Sequence, residues 1–156
     1  MAGRVRTPLR RRARSYVTVA IREATDGDVD VILGLWDAAA DPGRVIGDEP
    51  AAVHRLLGSA SGALLVAQAE GRLVGTIVAG WDGWRGNLYR LVVSPDHRRQ
   101  GIARLLVERA EELLQTRGCP RITALVHMRL PEAPSFWPAV GYDLDADVGR
   151  FVRNLR

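Results

Sequence analysis

The chain has 156 residues, 47% hydrophobic and 26% charged, which fits one folded domain and excludes a disordered chain or a fibre. No apolar run approaches the roughly 18–20 residues of a membrane span, and a single cysteine, Cys119, excludes an internal disulfide framework or an all-cysteine metal cage. The formal charge of +4 misleads, because residues 1–16 hold six arginines and no acid, leaving 16 Arg against 18 acids elsewhere, the balance of a mildly acidic enzyme rather than of a nucleic-acid binder.

The arginine arm (Arg4, Arg6, Arg10, Arg11, Arg12, Arg14) opens the chain. Three readings of it stand open: a solvated tail or early start codon, an arm for an anionic partner, and a transit peptide. All 22 basic residues are Arg, a coding bias rather than a functional choice. Residues 17–156 read as a single domain. Val17–Glu23 alternates and is β-branched, so a first strand is expected. Thr25 and Asp26 offer caps for a helix whose Val29, Ile32, Leu33 and Trp36 share one side. Asp41-Pro42-Gly43 breaks it, and a short helix after Asp48 turns Val53, Leu56 and Leu57 inward and ends at Gly58. Ala63–Ala69, the turn Glu70-Gly71 and Arg72–Gly80 form a hairpin. The Trp81–Gly86 turn then leads to Asn87–Val93, completing an antiparallel meander closed by Ser94-Pro95-Asp96.

Helical spacing resumes at Ile102, Leu105, Leu106, Ala110, Leu113 and Leu114, stopped by Gly118 and Pro120. Arg121–Val126 is a strand reached through a crossover helix, so it is expected to run parallel to Asn87–Val93. A helical stretch over Ala133–Val140 and two strands, near Tyr142–Asp147 and Arg150–Leu155, complete an α+β mixed sheet. The scattered histidines (His54, His97, His127) lack metal-ligand spacing, so no metal is expected. A reducing compartment, the cytoplasm, is the simplest location for the chain, and no membrane association is expected.

The informative segment runs from Val92 to Ala103: a strand, a short basic loop and the start of an amphipathic helix. Such a junction suits a pyrophosphate. Free N–H groups at the helix start converge on an anion, Gly101 lets backbone approach, and Arg98 and Arg99 add charge. The residues alone are equally those of an ordinary helix start with two solvated arginines. Together with the preceding meander and the later Phe136-Trp137-Pro138-Ala139-Val140-Gly141-Tyr142, the pattern Arg98-x-x-Gly101-x-Ala103 resembles motif A of the GNAT superfamily of acyl-CoA N-acyltransferases. A closer likeness, over Gly80–Gly86 and Arg117–Ile122, is to its small bacterial YpeA-type members.

The resemblance implies a GNAT fold, with a mixed central sheet splayed between its fourth and fifth strands and flanked by helices. It implies an acetyl-CoA-dependent N-acetyltransferase acting directly on a primary amine: a small molecule, a peptide N-terminus or a lysine. Acetyl-CoA would lie where Asn87–Val93 and Arg121–Val126 part, its amides pairing with backbone of Leu91 and Val93 in the strand Leu91-Val92-Val93. Arg98, Arg99, Gln100, Gly101, Ile102, Ala103 and Arg104 would cradle the pyrophosphate, and Trp137 would shape the acyl pocket. GNAT proteins often dimerise, so a homodimer is an expectation.

Three positions depart from the family pattern. Trp137 stands where a thiolate-protonating Tyr is common, Asn87 where a basic Glu is common, and Leu130 where an Asn is common, so the acid and base do not carry over. The local candidates are Tyr89, on the strand bordering the cleft, as proton donor, and His127, at the end of the partner strand, as base. Each has an ordinary alternative, packing for Tyr89 and a surface position for His127. Trp81, Asp82 and Trp84 form either an ammonium-binding aromatic turn or a hairpin cap with packed indoles. A non-catalytic acyl-CoA-binding or partner-interaction module on the same fold is the alternative to the enzyme.

Overall fold

A computed structural model describes residues 18–40, 48–153 and 155. The arginine arm and the Asp41-Pro42-Gly43 breaker lie outside the described residues. The chain runs through β1 (Val19–Glu23), α1 (Val29–Ala38), α2 (Pro50–Leu57), β2 (Gly62–Ala69), β3 (Arg72–Trp81), β4 (Gly86–Val93), α3 (Ile102–Thr116), β5 (Ile122–Ala124) and α4 (Ala133–Ala139). The five strands form one sheet in sequence order, antiparallel from β1 to β4 and parallel between β4 and β5. The parallel step is a consequence of the α3 crossover.

Both faces of the sheet are covered. Alternation along β2 and β3 sends Leu65, Ala67, Ile77 and Ala79 toward Ile102, Leu106, Ala110 and Leu114 of α3 and Trp137 of α4. The intervening Leu64, Val66 and Val78 meet Val29, Ile32 and Trp36 of α1 and Val53 of α2. Such two-sided burial explains why β2 and β3 read as nearly continuous apolar runs. The entry to α1 is fixed by Asp28, whose carboxylate accepts from the backbone N–H and hydroxyl of Thr25 and from both ends of the Arg22 fork, at 2.7–2.9 Å.

Two features differ from expectation. β5 covers three residues rather than Arg121–Val126: its ladder pairs Gly86–Leu88 with Ile122–Ala124, and the Leu125 N–H to Leu88 carbonyl bond at 3.0 Å is the last link before β4 turns away. The expected strands near Tyr142–Asp147 and Arg150–Leu155 do not form among the described residues. Asp143, Asp145 and Asp147 alternate with apolar residues, which mimics strand periodicity, yet Asp and Gly are poor strand formers and no neighbouring ladder receives them. Leu144, Val148 and Phe151 consequently stand 71%, 70% and 98% exposed.

Candidate functional site

The site begins at a fault in β4. Thr76 lies opposite Val92 and Val78 opposite Tyr89, so Arg90 and Leu91 together face the single residue Ile77, and Arg90 takes φ 52. This is a β-bulge. The extra residue breaks the alternation: Leu88, Leu91 and Val93 pack toward α3, while Tyr89 and Val92 pack toward α1. Pairing with β5 ends at Leu88, two residues before the bulge, so the half of β4 from Tyr89 to Val93 has no ladder on its β5 side. A groove opens there. It is the expected splay between the fourth and fifth strands.

The groove leads to the start of α3. Pro95–His97 make a single 3-10 turn. Beyond it Arg99 at φ 62 and Gly101 at φ 82 both take the left-handed conformation. Left-handed residues set into a turn point successive N–H groups toward a common centre, an arrangement suited to an anion. No side chain caps the helix at Gly101, so the first N–H groups of a 15-residue helix face outward at its positive end. A Cβ on Gly101 would meet nothing within 4 Å, so glycine is favoured here by the backbone angle alone and leaves the approach open. These features fit a pyrophosphate group.

The basic side chains are spread around this turn. Arg98 is exposed; its Nε donates to the Val93 carbonyl at 3.3 Å and its fork lies 3.6 Å from Glu132 at the start of α4. Arg104 donates to the Ala139 carbonyl at the end of α4, at 2.9 Å. Arg99 and Gln100 are exposed, and Gln100 donates to the Asp96 carbonyl at 3.4 Å. Ile102 is buried under the sheet and Ala103 is half-buried. Trp137 is 9% exposed, with Phe136 and Tyr142 edge-on to its ring at 5.4 and 5.0 Å. Tyr142 donates to Glu111 at 2.9 Å, and burial with that bond pushes its phenol well above the usual range.

The other candidates lie on separate elements. Tyr89 is half-buried on the α1 side, where burial, with the Asp82 charge adding, raises its phenol. His127 is exposed and lies three residues past the end of β5, not within it. The hairpin of Trp81, Asp82 and Trp84 joins the start of β4, at the opposite end from the α3 turn. Asp82 accepts the N–H groups of Arg85 and Trp84 at 2.6 and 2.7 Å, and these bonds lower its carboxyl below the usual range. Those are the bonds of a hairpin cap. Trp81 packs partly into the core, whereas Trp84 is 68% exposed with Arg85 4.3 Å over its ring.

Residues that the sequence did not connect with the site surround the bulge: Trp36, Asp48, Thr76 and Arg90. Thr76, a lone hydroxyl in an apolar strand, and Arg90, a lone charge in another, were their visible signals. Two surface concavities of about 330 and 360 Å³ lie away from the groove, one beside the exposed His54–Asp26 pair and one beside Arg22 and Gln68. Among the described residues, no three His, Cys, Asp or Glu side chains gather in a way that could hold a metal ion. No described helix is long and apolar enough to cross a membrane.

Residues 33–142, which hold the meander, the groove and the α3 turn, match the family model of the acetyltransferase (GNAT) family. The chain belongs to the GNAT acetyltransferase family. It is 34% identical over 128 residues to an acetyltransferase of Sodalis glossinidius, covering 82% of this chain and 89% of that protein. This GNAT domain also superposes on a transcriptional regulator from Bacillus halodurans with a TM-score of 0.74 at 23% identity, over 87% of this chain and all of the other. A structure of AAC(6')-Iy in complex with the bisubstrate analog CoA-S-monomethyl-acetylneamine gives 0.71 at 18% identity, over 88% of this chain and 99% of that one. At these identities the structural likenesses establish the fold, and the family model establishes an acyl-transferring lineage.

Proposed function

We propose that this GNAT protein transfers an acetyl group from acetyl-CoA directly to a primary amine within a ternary complex, in the cytoplasm, as a small bacterial YpeA-type member of its family. The observation that carries this reading is the uncapped α3 terminus behind the left-handed turn of Arg99 and Gly101, opening on the groove between β4 and β5. Acetyl-CoA supplies an activated thioester. Backbone groups of Leu91, Val92 and Val93 hold its arm as an added strand. N–H groups from Arg98 to Arg104 receive its pyrophosphate, with Arg98 and Arg99 contributing charge.

The amine must reach the thioester without its proton, and the departing thiolate must gain one. Tyr89 is the proposed donor, since burial keeps its phenol protonated, and His127 the proposed base, acting from the exposed stretch after β5. Trp137 bounds the acyl pocket from α4. The hairpin of Trp81, Asp82 and Trp84 is the proposed contact for the acceptor's ammonium, through the Asp82 carboxylate whose Oδ1 also caps two backbone N–H groups. The bisubstrate complex of AAC(6')-Iy, whose fold this chain shares, supports acyl-CoA and amine as the two substrate classes.

A second reading, an acyl-CoA-binding module without turnover, is favoured by Trp137, whose buried indole has no titratable proton to give. Calorimetric titration with acetyl-CoA followed by a thiol-release assay on small amines, peptide N-termini and lysine peptides separates the two. Binding with thiol release that depends on an amine supports transfer. Binding without release across the panel supports the module, and absence of binding refutes both.

A further inference from the structure

Thr76 is the one buried polar side chain among the described residues, set in β3 among the apolar residues that follow Arg72. Its hydroxyl accepts from the Trp36 indole N–H at 2.9 Å and donates to the Arg90 carbonyl at 2.9 Å. Arg90 is the bulge residue of β4, and its own guanidinium returns over the Trp36 ring at 5.0 Å while pairing with Asp48. Trp36, Thr76 and Arg90 thus close a ring of contacts across α1, β3 and β4.

An arginine in the left-handed region is strained, and such residues persist where their surroundings over-determine them, commonly at functional sites. The bulge sets the register of the rest of β4. Moving Leu91–Val93 by one residue would exchange the faces of all three and redirect the chain into the α3 turn. We infer that Thr76 is a positioning residue for the acyl-donor groove: through the Arg90 carbonyl it holds the bulge that turns the Leu91–Val93 backbone toward bound acetyl-CoA. The inference rests on the reading of this groove as an acetyl-CoA site.

Four variants test it. Thr76→Val removes the hydroxyl at nearly the same shape and Thr76→Ser keeps it. Arg90→Gly removes the side chain yet accepts a positive φ, whereas Arg90→Val resists one. Acetyl-CoA affinity is measured by calorimetry, with circular dichroism and thermal melts reporting the fold. Thr76→Val and Arg90→Val are expected to weaken binding by at least about tenfold, and Thr76→Ser and Arg90→Gly to stay within about threefold of wild type. Should Thr76→Val fail to fold, the Arg90 pair decides, since Arg90 is only half-buried. Undiminished binding by Thr76→Val, equal losses in Thr76→Ser and Thr76→Val, or equal losses in Arg90→Gly and Arg90→Val overturn the inference while wild type binds. Failure of the wild type itself to bind acetyl-CoA overturns the acyl-donor reading and this inference together.

Discussion

Gly101 allows the strain of a substitution to be separated from its effect on a ligand. The residue sits at φ 82 and ψ 0, and an added Cβ meets no atom within 4 Å. Gly101→Ala therefore costs backbone strain alone, about 1–2 kcal/mol, or a fall of roughly 2–8 °C in Tm for a domain of this size. Gly101→Glu carries the same strain and adds a carboxylate beside the first N–H groups of α3. A pair of like charges about 4 Å apart at an effective dielectric near 20 repels by about 4 kcal/mol before salt screening. Acetyl-CoA affinity is expected to fall by less than about tenfold in Gly101→Ala and by at least about 100-fold in Gly101→Glu, read by calorimetry beside thermal melts. Gly71 supplies the control: its φ is 76, a Cβ there also meets nothing within 4 Å, and it lies in the β2–β3 turn, with β4 between β3 and β5 in the sheet. Gly71→Glu should lose comparable stability and bind normally. Wild-type affinity in a folded Gly101→Glu protein would refute the placement of the pyrophosphate at this turn.

Tyr89→Phe should lower kcat by about 100-fold or more if the phenol protonates the leaving thiolate, with acetyl-CoA affinity unchanged; unchanged turnover in steady-state thiol release removes Tyr89 from the reaction. Asp28→Asn should cost about 2 kcal/mol at pH 7, combining part of a half-exposed Arg22 pair with the Thr25 cap, measured by urea unfolding. Because Arg22 and Thr25 hold the Asp28 carboxyl far below its usual range, its stabilisation is complete above the unfolded value near ~4 and is lost as pH falls below it. The difference between wild type and variant should therefore shrink in acid, and a constant gap down to about pH 3 would contradict the pairing. Tyr142→Phe should cost about 1 kcal/mol at neutral pH by removing the bond to Glu111. The raised Tyr142 phenol stabilises the fold below about pH 10 and loses that contribution above it, so the variant should lack this part of the alkaline sensitivity expected of wild-type melts.

Local chemistry determined most of the frame. Periodicity gave the apolar faces of α1 and α3, Glu70-Gly71 fixed the β2–β3 turn, and Gly118 with Pro120 ended α3, because each depends on residues a few positions apart. The pattern from Arg98 to Ala103 located the strand–turn–helix junction, but by itself it fitted an ordinary helix start equally, and the family resemblance singled it out as a place for an anion. Tertiary structure alone decided the rest. The bulge at Arg90 is tied to Thr76, 14 residues away, and through it to Trp36 in α1, so the lone charge in β4 did not by itself announce a bulge. Hydrogen bonds distributed the arginines, tying Arg104 to the end of α4 and Arg98 to Val93. The alternating segment from Tyr142 to Asp147 had the period of a strand and did not become one, because a strand is completed by a neighbour's ladder and period alone supplies no neighbour.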